Sequence, residues 1–290
     1  MFHNENSKQK VYVFGAASTA LSLLGKLKDQ YHIVAFVDND EKKWGSLLEG
    51  FPILAPEKLM GAEYDKIIVA SLTGQTAIKS QLLKMNIDIS IIDTDFVSVS
   101  VQSRINFIEQ LAQLFEENQV GGAVAEGGVF QGEFAREINR VFPNKTLYLF
   151  DTFSGFDDKD MAHDQSNQFS HISSGNHLIS TNVELVKRKL PFIEKCVICQ
   201  GYFPETTIEI DTKETFCFVN LDFDLYLPIL AGLEYFYPRM EKGGVILIHD
   251  YFTEGFKGVK AAVLEFEKKI GQKLLMYPIG DGVSIAVFCL

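Results

Sequence analysis

Ala123-Val124-Ala125-Glu126-Gly127-Gly128-Val129-Phe130-Gln131-Gly132 is a short apolar run that ends on an acidic residue and then breaks into glycines. Glycine lets the backbone turn tightly and lets a ligand come close. In an open α/β sheet, such a turn at the carboxyl end of a strand is where a ligand binds. The rhythm around it supports that setting. Further apolar runs at 146–150, 196–199, 216–221 and 245–248 alternate with helical stretches, and two more at 273–277 and 284–289 close the chain. Ile279-Gly280-Asp281-Gly282 joins the last two, which predicts antiparallel neighbours. The expected fold is a doubly wound sheet of five parallel strands with a closing antiparallel pair.

A separate alternation precedes it. Runs at 11–14, 33–37, 67–70 and 89–92 read as strands, with helical stretches near 56–60 and 73–85 and Leu21, Leu24 and Leu27 at helical spacing. Short apolar strands separated by helices predict a parallel sheet covered on both faces. After Asp95 the pattern breaks. Residues 96–103 contain three serines and read as a linker, followed by an amphipathic helix marked by Ile105, Ile108, Leu111 and Phe115. The chain is therefore expected to be α/β throughout, with one domain over 1–98 and a second over 99–290.

Bulk properties exclude some functions. Hydrophobic residues make up 47% of the 290, enough for a sizeable core, and the net charge of -11 argues against nucleic acid as a partner. No apolar run approaches the ~18 residues that span a membrane. Residues 1–10 are polar and lack the apolar core of a signal peptide, so a cytoplasmic protein is expected. Cys196 and Cys199 form a C-x-x-C without a second pair, which reads as two small strand residues rather than a zinc site.

The residues after each strand of the second domain are the candidate site. Glu126 can accept from a charged amine. Asp151 closes the next strand, where an acid suits the hydroxyls of a ribose. Gly201-Tyr202-Phe203 follows the third strand with aromatic groups able to cover a nucleobase. Asp222-Phe223-Asp224 and His249-Asp250 follow the fourth and fifth, which a doubly wound sheet makes neighbours. Three carboxylates and an imidazole brought together would hold a cation or titrate abnormally, and oxygen-rich ligands suit Mg2+ or Mn2+. Residues 157–181 are polar, carry His163, His171 and His177, and are long enough to read as a lid or binding loop.

In order along the chain, these segments resemble the metal-dependent sugar O-methyltransferases of the macrocin (TylF) type. The matching segments are 125–132, Leu149-Phe150-Asp151-Thr152-Phe153-Ser154-Gly155-Phe156, Gly201-Tyr202-Phe203-Pro204-Glu205-Thr206, Leu221-Asp222-Phe223-Asp224-Leu225-Tyr226, and 237–245 with His249-Asp250-Tyr251. The resemblance implies a class I methyltransferase sheet that takes S-adenosylmethionine. Glu126, Gly127, Gly128 and Gly132 would hold its methionine part and Asp151 its ribose. Tyr202 and Phe203 would hold its adenosine, with Phe153 of the second segment counted among the cofactor contacts. Asp222 and Asp250 would bind Mg2+, and Asp224 matches the general base. His249 stands where the family usually has an aspartate. That substitution favours Mn2+ or a softer ion, and it leaves His249 as a metal ligand or as the base. The acceptor implied is a hydroxyl of a sugar: a glycan, a nucleotide sugar or a natural-product glycoside.

In the first domain, Gly15-Ala16-Ala17-Ser18-Thr19-Ala20 occupies the place of a dinucleotide fingerprint, but the methyl of Ala17 would crowd a pyrophosphate. This domain resembles the Rossmann-like N-terminal domain of bacterial sugar acetyltransferases and related polysaccharide-biosynthesis proteins. It could recognise an activated sugar or a partner, or be structural; a homo-oligomer of the whole chain stays open. Two other functions stay open at this point. One is an NAD-dependent oxidoreductase using this domain, although no Y-x-x-x-K dyad is present there. The other is a sugar-nucleotide binding protein without activity, which the His249 departure would suit.

Overall fold

The computed structural model describes residues 8–17, 19–20, 23–71, 74–170, 178–179 and 181–290, with Glu209 described for its backbone alone. The chain forms two compact units, residues 1–102 with 253–255, and residues 103–252 with 256–290.

The first unit is a six-stranded sheet. Its strands are β1 (Lys10–Phe14), β2 (His32–Val37), β3 (Leu47–Leu48), β4 (Phe51–Leu54), β5 (Lys66–Val69) and β6 (Ile92–Asp93). They lie in the order β3-β4-β2-β1-β5-β6, parallel except for the β3–β4 pair. That order is Rossmann-like. Helices α1 (Leu24–Gln30) and α2 (Gln75–Lys84) supply Leu24, Leu27, Ile78 and Leu82 to the interior. The run at 89–92, expected as a strand, is mostly a single helical turn over Ile89–Ile91, because Asp88 accepts from the Ser90 N–H and caps it.

Residues 96–103 are not a linker. They belong to helix α3 (Asp95–Glu117). Its serines are tolerated because their hydroxyls fold back on the helix: Ser98 donates to the Thr94 carbonyl at 2.9 Å and Ser100 to that of Phe96 at 3.4 Å.

The second unit is a seven-stranded sheet of β7 (Ala123–Gly127), β8 (Leu147–Asp151), β9 (Cys196–Gln200), β10 (Phe216–Leu221), β11 (Met240–Ile248), β12 (Met276–Pro278) and β13 (Ile285–Phe288). The order is β12-β13-β11-β10-β7-β8-β9. Strands β7 to β11 are parallel, and β13 runs against both β11 and β12. Chain order reverses between β7 and β10, and the crevice at that switch point is where an α/β sheet takes a ligand. One core unites Ile108, Leu111 and Phe115 of α3 with Val124, Leu149, Phe218 and Leu247 of the sheet and Ile138 of α4 (Glu133–Val141). Among the described residues, no helix is long and apolar enough to cross a membrane.

The stretch read as a lid begins with a helix. Helix α5 (Asp158–Ser166) occupies its start, capped by Asp157, which accepts from the Lys159 N–H. It is followed by α6 (Val183–Lys187). His163 sits on α5, stacked on Tyr226 at 4.8 Å between ring centroids. His171 and His177 lie outside the described residues. Helices α7 (Tyr226–Phe236) and α8 (Lys257–Ile270) complete the unit.

Candidate active site

The four polar residues at the ends of β10 and β11 meet. One ligand atom from each of Asp222, Asp224, His249 and Asp250 lies within 4.8 Å of the others. Parallel pairing of Leu221 with Ile248 makes this a direct consequence of strand order. Asp224 and Asp250 hold φ of 65° and 56°, in the left-handed region. That conformation costs a residue with a side chain about 1–2 kcal/mol, and strain of this kind gathers at functional sites.

The electrostatics have a clear pattern. His249 Nδ1 lies 2.9 Å from Asp222 Oδ1 and 2.9 Å from Asp250 Oδ2. Burial pulls the imidazole pKa down, but Asp222 and Asp250 outweigh it and hold it at about 10. Burial also raises Asp222, yet His249 and Arg104 beside it keep that carboxyl below the ordinary range. Asp224 goes the other way. Burial, then the charges of Asp250 and Asp222, push it well above the ordinary range. A site with that imbalance is one that added positive charge stabilises. Three carboxylates and one imidazole fit a divalent cation that prefers oxygen ligands.

Glu126 lies at the end of β7, only 2% exposed. Its Oε1 accepts from Asn220 Nδ2 at 3.0 Å, and its buried Oε2 has no partner among the described residues. Burial first, then Asp222, raises its pKa well above the usual carboxylate value. An unpaired buried oxygen costs about 1–3 kcal/mol, and an ammonium group placed there would satisfy it.

The glycines expected to admit a ligand first admit the protein itself. A Cβ on Gly127 would sit 2.2 Å from Cζ of Phe223, and one on Gly128 would sit 2.0 Å from the backbone oxygen of Asp222. The turn thus fixes where the Asp222-Phe223-Asp224 loop begins. Gly132 caps α4, with Val186 3.0 Å from where its Cβ would be. Asp151 holds the same turn from the other side. Its Oδ2 accepts from the N–H groups of Val129 and Phe130 at 2.7 and 2.8 Å, and its Oδ1 from Phe153 at 2.6 Å.

Phe203 is not placed to cover a base. It is 4% exposed, packed among Phe150, Phe223, Tyr235 and Phe236. Phe153 is likewise a core residue at 8%. Tyr202 remains half-buried on the loop, with its hydroxyl donating to Asp160 Oδ1 at 2.9 Å and Lys159 over its ring.

Asp160 offers a pH test of this contact. It is 4% exposed. Burial, with Asp157 adding, raises its pKa to about 6 against the Tyr202 hydrogen bond. An acid whose folded pKa lies above its unfolded one costs stability once ionised. The cost therefore grows as pH rises from the ordinary carboxylate range through about 6. Asp160→Asn keeps an acceptor for Tyr202 and removes the charge. Its melting temperature relative to the parent protein should rise between about pH 4.5 and about pH 8. A constant or falling difference would exclude Asp160 as that group.

Two site residues lie outside the sequence motifs. Arg104, on α3, donates from Nη2 to Asp222 Oδ2 at 3.1 Å and to Asn220 Oδ1 at 3.3 Å. Asn220 is fully buried, a polar residue in the apolar strand β10. That break in the run was the one sequence signal available for it. In the first unit, the strand-end Asp38 is already engaged. It accepts from the Ala16 N–H at 2.8 Å and from Lys43 at 2.9 Å, so a ribose there would compete with both.

Residues 92–283 match the model of the macrocin-O-methyltransferase (TylF) family, and residues 7–92 match a model described as C2185-like, N-terminal. Among solved structures, the O-methyltransferase NovP is similar at 23% identity and a TM-score of 0.52, over 64% of this chain and 79% of that one. CalS11, described as a calicheamicin methyltransferase, is similar at 17% identity and a TM-score of 0.53, over 74% of this chain and 91% of its own. At such identities the likeness concerns the fold. No curated protein matches the chain.

Proposed function

Because the chain belongs to the macrocin-O-methyltransferase (TylF) family, we propose that it transfers a methyl group from S-adenosylmethionine to a hydroxyl of a sugar, assisted by a divalent cation. The observation that carries this reading is the meeting of Asp222, Asp224, His249 and Asp250 beside the glycine turn. When bound, S-adenosylmethionine supplies the methyl group, and Mg2+ or Mn2+ lowers the pKa of the acceptor hydroxyl.

The chain's own residues do the rest. Glu126 Oε2 accepts from the cofactor's ammonium and loses its unpaired state. Asp151 holds the glycine turn that shapes the cofactor's bed, and a ribose hydroxyl would share its oxygens with the N–H groups of Val129, Phe130 and Phe153. Asp222 and Asp250 would hold the cation, and His249 would join them on giving up its ring proton to solvent. Asp224 takes the proton from the acceptor hydroxyl. A sugar with vicinal hydroxyls suits this site because it offers two oxygens at once. Holding both reactants in line supplies much of the acceleration.

The test is thermal stability of the full chain with S-adenosylmethionine, S-adenosylhomocysteine, NAD, NADP and UDP-sugars, each with and without Mg2+ or Mn2+. A ligand at about 100 times its Kd adds about 2.7 kcal/mol. Both adenosyl compounds should raise the melting temperature, NAD and NADP should not, and chelation of divalent ions should stop methyl transfer until Mg2+ or Mn2+ is restored. A shift with NAD and none with S-adenosylmethionine would overturn the proposal.

A further inference from the structure

A line of hydrogen bonds runs behind the site. Asn220 on β10 lies in register with Glu126 on β7, and its Nδ2 donates to Glu126 Oε1. Its Oδ1 accepts from Arg104 Nη2, and the same nitrogen donates to Asp222 Oδ2. The guanidinium rests over the ring of Phe134, 4.0 Å from the centroid, which limits its freedom to leave.

The chemistry of the donors gives this line a direction. A guanidinium donates and never accepts. It therefore fixes the sense of the Asn220 amide, oxygen toward Arg104 and NH2 toward Glu126. The reversed amide would set donor against donor. With Oε1 of Glu126 satisfied by Asn220, Oε2 is left buried and unpartnered. On the other branch, Arg104 takes Oδ2 of Asp222, while Oδ1 faces the cluster 2.9 Å from His249 Nδ1. One nitrogen thus orients two carboxylates with different ligands.

We propose that Arg104 is a positioning residue that sets both the carboxylate receiving the cofactor's amine and the aspartate heading the cation cluster, through Asn220 on one side and directly on the other. This rests on the S-adenosylmethionine reading above. In this reading Arg104 acts through Asn220 and Asp222, and its loss should weaken both ligands.

The experiment is calorimetric titration of the full chain with S-adenosylhomocysteine, and separately with Mn2+, for the parent protein, Arg104→Gln and Arg104→Lys. Melting temperature is recorded alongside. Arg104→Gln should raise both dissociation constants by about tenfold or more, the usual effect of removing a residue that orients a ligand-binding side chain. Arg104→Lys keeps the charge but loses the planar fork, so at least one constant should still be weakened about tenfold. If Arg104→Gln does not fold, the lysine variant decides alone. Parent-like values for both ligands in a folded variant, or a change confined to melting temperature, would overturn the proposal. Failure of the parent protein itself to bind S-adenosylhomocysteine would instead overturn the reading beneath it, and this inference with it.

Discussion

Asp224→Asn should cut kcat by about 10²–10⁴-fold, the range for loss of a general base, while leaving the dissociation constant for S-adenosylmethionine near that of the parent protein. The amide has the size of the carboxylate but cannot take a proton at neutral pH. Asparagine also tolerates the left-handed backbone, so the φ of 65° at this position should survive the change. Burial first, then the charges of Asp250 and Asp222, make an ionised Asp224 costly, and the neutral amide does not carry that cost. The variant should therefore melt no lower than the parent. Single-turnover methyl transfer and a calorimetric titration separate the two expectations. A variant that kept its rate would remove Asp224 from the base's role.

The sequence made Asp222, Asp224, His249 and Asp250 legible for a physical reason. Asp222 and His249 directly follow apolar runs, Asp224 and Asp250 come within two residues of that pair, and parallel strands deliver their carboxyl ends to one edge, so local punctuation becomes a shared site without knowledge of loops. Arg104 was not legible. It lies 116 residues from Asn220 and 118 from Asp222, on a helix whose first turns read as a serine-rich linker. Nothing local marks an arginine that acts across such a distance. Phe203 shows the opposite failure. An aromatic residue at a strand end serves a ligand face or the core equally well by its chemistry, and only the ring of neighbours formed by Phe150, Phe223, Tyr235 and Phe236 decides for the core. Helix α5 was missed because its apolar periodicity is weak, although its capping Asp157 and the acids Asp158 and Asp160 in its first turn were readable as an N-terminus.

Gly128→Ala should be among the most damaging single substitutions in the second unit, by the same contact that builds the site. The residue is pinned on two sides. Its N–H donates to the Phe150 carbonyl at 2.9 Å, and its Cα faces the Asp222 carbonyl, which a new Cβ would meet at 2.0 Å. Both neighbours are backbone of central strands or their ends, so neither can swing aside as a side chain does. The φ of 84° adds strain for any residue with a Cβ. Gly127→Ala should be milder, because its clash is with the ring of Phe223, although Phe203 limits how far that ring can retreat. A loss of about 4 kcal/mol or more is expected for Gly128→Ala. At roughly 2–4 °C per kcal/mol for a domain of this size, its melting temperature should fall by about 10 °C. Gly121→Ala is the control, since nothing lies within 4 Å of its Cβ position. The Asp222 carbonyl begins the loop that carries Asp224, so whatever Gly128→Ala protein remains folded should also bind Mn2+ more weakly. A melting temperature equal to that of Gly121→Ala would mean that the glycine turn and the aspartate loop are not packed against each other as described.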